Sequence, residues 1–179
     1  MTVSDVPSWL PRGDHRLAFH RQPGTGPGVL FCGGLRSDMT GSKALALDAH
    51  TRSVGRACVR FDYMGHGASG GRFEDATLST WRDDTLAVFD ALTEGPQVVV
   101  GSSMGGWLAL LLALARPARV HGLVLLAPAP DFTRALRDSL DDAGTEALAR
   151  TGRIERPSAY GPEPYVFTRA LLEDADQHC

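Results

Sequence analysis

The stretch Val98-Val99-Val100-Gly101-Ser102-Ser103-Met104-Gly105-Gly106-Trp107 constrains the fold of this chain more than any other. A β-branched apolar run arrives at a serine set between glycines, and a helix-forming run leaves it. Gly101 to Gly105 fits G-x-S-x-G in the strand–turn–helix context that the motif requires. The chain has to reverse within a few residues, which strains the backbone at the apex. Side chains at Gly101 and Gly105 would collide with the neighbouring strand and helix. Ser103 is thereby presented with its Oγ exposed, and the Met104 amide stands at a helix N-terminus where an oxyanion is stabilised. Ser103 is the candidate nucleophile. Ser102, one residue before the apex, is the weaker alternative.

The rest of the chain alternates strand and helix. Residues 15–21 form a weakly alternating strand, and 22–28 a turn rich in glycine and proline. Residues 29–32 form a short buried strand opening into Gly33-Gly34. A helix follows over 42–54, ended at Gly55, and then a strand over 57–61 and a loop to about 76. Thr77 or Ser79 caps a helix carrying Trp81, Leu86, Val88, Phe89 and Leu92. The strand 97–100 and the serine turn lead into a helix over 103–116, apolar almost all round and expected to be central and buried. Another strand spans 121–127. This order predicts an α/β fold with a mostly parallel, doubly wound sheet covered on both faces. Function in such sheets gathers at the carboxyl ends of strands, where both Gly33-Gly34 and Ser103 fall. Beyond Pro130, residues 131–150 read as amphipathic helix, 153–164 as a proline-containing loop and 165–176 as a final helix.

An acyl-transfer site needs a second oxyanion donor from the loop after an earlier strand. Gly33, Gly34 and Leu35 meet that need: glycines permit close approach, and the Leu35 amide is the candidate donor. Gly65-His66-Gly67-Ala68-Ser69-Gly70 matches G-x-G-x-x-G formally. No helix opens at Gly70 and the continuation is polar, so it reads as a structural loop. No His/Cys cluster has metal-ligand spacing, and no metal is expected.

The base is harder to find. Asp131 follows a strand end, where helix capping accounts for it equally well. His121 opens a strand at the end away from the active edge. His66 lies at the correct edge but precedes the serine, and His178 is penultimate, with no fold expected around it. No complete triad is assigned.

A net charge of −3 without a basic run argues against nucleic acid or anionic membrane as partners. The longest apolar run, residues 107–115, is too short to span a bilayer. Residues 1–14 lack a secretory signal's apolar core, and Cys32 and Cys58 sit in apolar runs as reduced thiols. A cytoplasmic location is expected.

Three segments together carry a family resemblance: residues 33–44 (GGLRSDMTGSKA), 60–69 (RFDYMGHGAS) and 100–107 (VGSSMGGW). They resemble the α/β-hydrolase superfamily, in the branch of the mitochondrial palmitoyl-protein thioesterases that also cleave acyl glucuronides, and its bacterial relatives. The resemblance runs from about Gly28 to the end. It implies a serine hydrolase of esters or thioesters, acting on small-molecule or acylated-protein substrates without a cofactor. It also implies a fold that continues with two more strands and helices, the triad acid following the first strand and the histidine the second. Residues 1–179 then read as a single incomplete domain, truncated at its C-terminal end, with 121–127 left as an apolar edge strand. The alternative is a catalytically inactive hydrolase-like binding protein or an inactive fragment.

Overall fold

Alternate residues of the central strands point to opposite faces, and the core divides accordingly. Leu30, Cys32, Val59, Phe61 and Val99 face one way, into a large cluster with Trp81, Phe89, Trp107, Leu108 and Leu112. Val29, Phe31, Cys58 and Val100 face the other way and pack with Ala44. Residues 6–157 and 164–179 are described by the structure, a computed structural model.

The strands are β1 (Ser8–Arg12), β2 (His15–Gln22), β3 (Thr25–Cys32), β4 (Arg56–Phe61), β5 (Gln97–Ser102) and β6 (Val120–Leu126), joined in one sheet of order β1-β2-β4-β3-β5-β6. β3 pairs in parallel with β4 and β5, and β5 with β6; β1–β2 and β2–β4 are antiparallel. Helix α1 (Ser42–Ser53) covers one face, while α2 (Leu78–Leu92) and α3 (Met104–Ala115) cover the other. The mostly parallel sheet with helices on both faces is the architecture that the sequence predicts. Thr77 caps α2 in a reciprocal capping box with Thr80. No helix among the described residues is long and apolar enough to cross a membrane.

Several expectations are corrected. Residues 8–12 form a strand because they pair with His15 to Phe19 of β2 in a hairpin, which the weak local pattern does not announce. Helix α3 is not buried all round: after Ala109 only Leu112 is buried, and Leu114 is 79% exposed. The stretch 131–150 is two helices, α4 (Phe132–Asp138) and α5 (Asp142–Thr151), because Asp141 caps the second by accepting from Gly144 N at 2.8 Å. Residues 165–176 open as strand: β8 (Tyr165–Thr168) pairs antiparallel with β7 (Arg153–Arg156) before α6 (Arg169–Ala175) begins. The reading of 153–164 as loop is therefore wrong over β7, and its residues 158–163 lie outside the described residues.

Candidate active site at the carboxyl edge of the sheet

Strand register brings the two glycine turns together. Cys32 pairs with Gly101, so the chain leaving β3 at Gly33-Gly34 runs beside Ser102-Ser103 leaving β5. A Cβ placed on Gly34 would lie 3.4 Å from the Ser103 Cβ.

Ser103 adopts φ 55° and ψ −122°, a conformation that costs about 1–3 kcal/mol for a residue with a side chain. Three backbone hydrogen bonds hold it there. Its N–H donates to Leu126 O at 3.0 Å, and its carbonyl accepts from Gly106 N at 2.9 Å and Ala129 N at 3.1 Å. The glycines make the turn sterically possible. A Cβ on Gly101 would lie 2.7 Å from the Gly106 Cα, and one on Gly105 would strike the carbonyl oxygens of Cys32 and Gly33. Ser103 is exposed and makes no capping bond, whereas Ser102 is buried in the strand end. The Met104 amide opens α3, where the helix dipole favours negative charge.

The second turn, residues 34–37, is closed by Ser37 N donating to Gly34 O at 3.1 Å. Arg36 sits at its third position with φ 60°, and its guanidinium stacks on Phe73, 4.0 Å from the ring centroid. Deeper in the protein, Tyr63 donates from its hydroxyl to Gly33 O at 3.1 Å.

Buried carboxylates tie the surrounding loops. Asp62 accepts from Met39 N at 2.7 Å and from Ala68 N at 2.8 Å, one amide to each oxygen. A Cβ on Gly67 would fall on that carboxylate, so Gly67 answers to Asp62 and not to a dinucleotide. Asp84, fully buried, accepts from Met64 N at 2.8 Å with Arg12 and His15 beside it. Burial raises the pKa of both carboxyls.

A cavity of about 780 Å³ opens over the two turns. Leu35, Met104, Phe132, Tyr165 and Phe167 give it apolar lining, and Ser103 lines it too. Arg36, Ser37, Asp38 and Lys43 add polar lining. Two of the aromatic rings come from β8, a strand that the local pattern does not reveal.

No histidine lines this cavity among the described residues. His66 is buried in a cage of Tyr63, Phe73 and Trp81, its Nδ1 3.1 Å from Met64 O. Burial pushes its pKa down to about 4, and it serves the packing of the loop. His121 is exposed at the start of β6, the end remote from Ser102. Asp131 stands at the start of α4 with φ 57° and forms no side-chain cap, so capping does not explain it. Contrary to expectation, His178 is held by the fold: its Nε2 lies 2.7 Å from Ser79 Oγ. Asp174 accepts from Ser79 N at 2.7 Å and lies 4.0 Å from the same histidine nitrogen. Because the carboxylate and the serine share one ring nitrogen, this trio caps α2 and is not a relay.

The parallel sheet and the serine turn between β5 and α3 define an α/β hydrolase. The family model described as serine aminopeptidase, S33, matches residues 29–151, and the chain belongs to that family. Human palmitoyl-protein thioesterase ABHD10, mitochondrial, is 40% identical over 174 residues, which is 96% of this chain and 57% of the relative. The chain thus spans little more than half the length of such curated relatives. Among solved structures, a presumptive hydrolase from Agrobacterium vitis S4 is 43% identical with a TM-score of 0.89, over 96% of this chain and 70% of that one. Mouse alpha/beta hydrolase domain-containing protein 10 is 37% identical with a TM-score of 0.88, over 97% and 70%.

The expected cytoplasmic location is overturned by these relatives, since the human, orangutan and bovine proteins are all named as mitochondrial. The physical reason is plain. Lack of a secretory core and buried reduced thiols suit an organelle matrix as well as a cytoplasm, so neither feature separates the two.

Proposed function

We propose that this protein hydrolyses carboxylic esters or thioesters through an acyl-enzyme on Ser103. The observation that carries the reading is the strained, exposed Ser103 at the head of α3, close beside Gly34 in the lining of the cavity. Ser103 Oγ attacks the acyl carbonyl, and the developing oxyanion is received by the amides of Met104 and Leu35. Such a donor is worth about 3–4 kcal/mol of transition-state stabilisation. Collapse expels the alcohol or thiol, and water then cleaves the acyl-serine. Gly33, Gly34, Gly101 and Gly105 let the two turns approach closely enough for both amides to meet one oxygen. The apolar lining suits an acyl group, and the thioesterase names of the relatives support the thioester class. The family pattern assigns the acid and the histidine to positions after two further strands, and the greater length of the relatives agrees with this.

A serine-directed fluorophosphonate, applied to the full-length product of the reading frame, tests the proposal. Labelling at Ser103 that Ser103→Ala abolishes and Ser102→Ala preserves is the expected result. An unreactive full-length protein overturns the reading and favours a binding role.

A further inference from the structure

We infer that Ser37 is a positioning residue that sets the direction of the Leu35 amide, an inference resting on the role proposed above for Ser103 and Leu35. Ser37 holds the Gly34 carbonyl twice, from its own N–H at 3.1 Å and from its hydroxyl at 2.9 Å. In a trans peptide the carbonyl of one residue and the N–H of the next point in opposite directions. Fixing the Gly34 oxygen toward Ser37 therefore fixes the Leu35 N–H away from it. The same hydroxyl lies 3.1 Å from where a Gly33 Cβ would stand and 3.7 Å from that of Gly34, so it also roofs the turn.

The turn needs such a device because its backbone is not self-sufficient. A tight turn with φ positive only at its third residue is ordinarily closed by glycine there, and this one carries Arg36 at φ 60°. The Gly33-Gly34 pair adds conformational freedom on the other side. Without the hydroxyl, the Ser37 N–H alone holds the Gly34 carbonyl itself, although Tyr63 still anchors Gly33 O and Phe73 the Arg36 side chain. The Gly34–Leu35 peptide is then free to rotate, turning the Leu35 N–H away from the Ser103 side. Ser37 makes no chemical step of its own. Its effect passes through the amide, and it belongs in kcat, where an interaction made only in the transition state is read.

The test compares wild type, Ser37→Ala and Ser37→Thr in the full-length protein, measuring kcat and KM on a p-nitrophenyl ester and the rate of phosphonylation by a fluorophosphonate. Ser37→Ala should lower kcat and the phosphonylation rate by about tenfold, with KM within about twofold and the melting temperature nearly unchanged. Ser37→Thr, which keeps the hydroxyl, should restore most of the rate. A reactive wild type with Ser37→Ala equally fast overturns the positioning role alone. So does a loss confined to KM, which would make Ser37 a substrate contact, or a fall in melting temperature that tracks the rate loss. An unreactive wild type overturns the Ser103 reading, and this inference with it.

Discussion

The Tyr63 hydroxyl donates to the Gly33 carbonyl at 3.1 Å, so a buried side chain from the loop after β4 fixes the backbone of the loop after β3. Tyr63 is 1% exposed, packed edge-on against Phe61 and His66. Tyr63→Phe keeps the ring and removes the donor. It should cost about 1–2 kcal/mol in chemical denaturation, the usual penalty for orphaning a buried acceptor. Because Gly33 leads directly into the Leu35 turn, esterase kcat should fall while KM stays near wild type. A variant with full stability and full kcat would show the bond to be idle.

Gly105 and Gly34, one on each turn beside Ser103, make different demands. A methyl on Gly105 meets the Cys32 and Gly33 carbonyls, backbone atoms that cannot swing aside. Gly105→Ala should therefore destabilise by about 1–3 kcal/mol or more and lose Ser103 labelling. A methyl on Gly34 meets only ordinary contacts at 3.4 Å, and Gly34 has no positive φ. Gly34→Ala should fold with wild-type stability but crowd Ser103, slowing acylation. Thermal melts alongside fluorophosphonate labelling separate the two effects.

Sterics make the serine turn legible from sequence alone. Gly101, Ser103 and Gly105 follow from the demands of a tight strand-to-helix reversal, and the apolar runs 29–32 and 97–100 from burial on both sheet faces. The pocket wall is less legible because its pairings are distant in sequence. Tyr165–Thr168 is too short to show an alternation, and it is a strand only because Arg153–Arg156 lies beside it. The anchoring of His178 is hidden for a similar reason, its partner Ser79 being 99 positions away. Asp62 carries a faint signal, an acid between an apolar strand and a glycine-rich loop, but which amides it binds depends on how two loops meet.

Asp62 offers one oxygen to each of two loops, and this makes it intolerant of its closest isostere. An asparagine in its place would present one carbonyl oxygen and one amino group to the N–H donors of Met39 and Ala68. One of the two amides must then face another donor. Asp62→Asn should cost about 2–3 kcal/mol, the penalty for a buried unsatisfied group, and lower the melting temperature by roughly 4–12 °C. Asp62→Asn with an unchanged melting curve would mean that the loops after β3 and β4 do not depend on this carboxylate.

The aromatic cage around His66 makes stability depend on pH in a calculable direction. Burial, with the Arg36 charge adding to it, holds the folded imidazole neutral down to about pH 4. In the unfolded chain a histidine protonates near 6.5. Between these values the unfolded state binds the extra proton, so stability falls as pH drops from about 6.5 and levels off below about 4. The full excursion is about 3 kcal/mol. His66→Phe fills the cage with a ring that does not titrate, at the loss of the bond to Met64 O. At pH 7.5 it should be about 1 kcal/mol less stable than wild type, and at pH 5 equal or more stable. Other carboxylates titrate in the same window, so the informative quantity is the difference between the two proteins in urea denaturation at each pH. A difference that stays constant from pH 7.5 to 5 would show that His66 takes up its proton in the folded state as readily as in the unfolded chain.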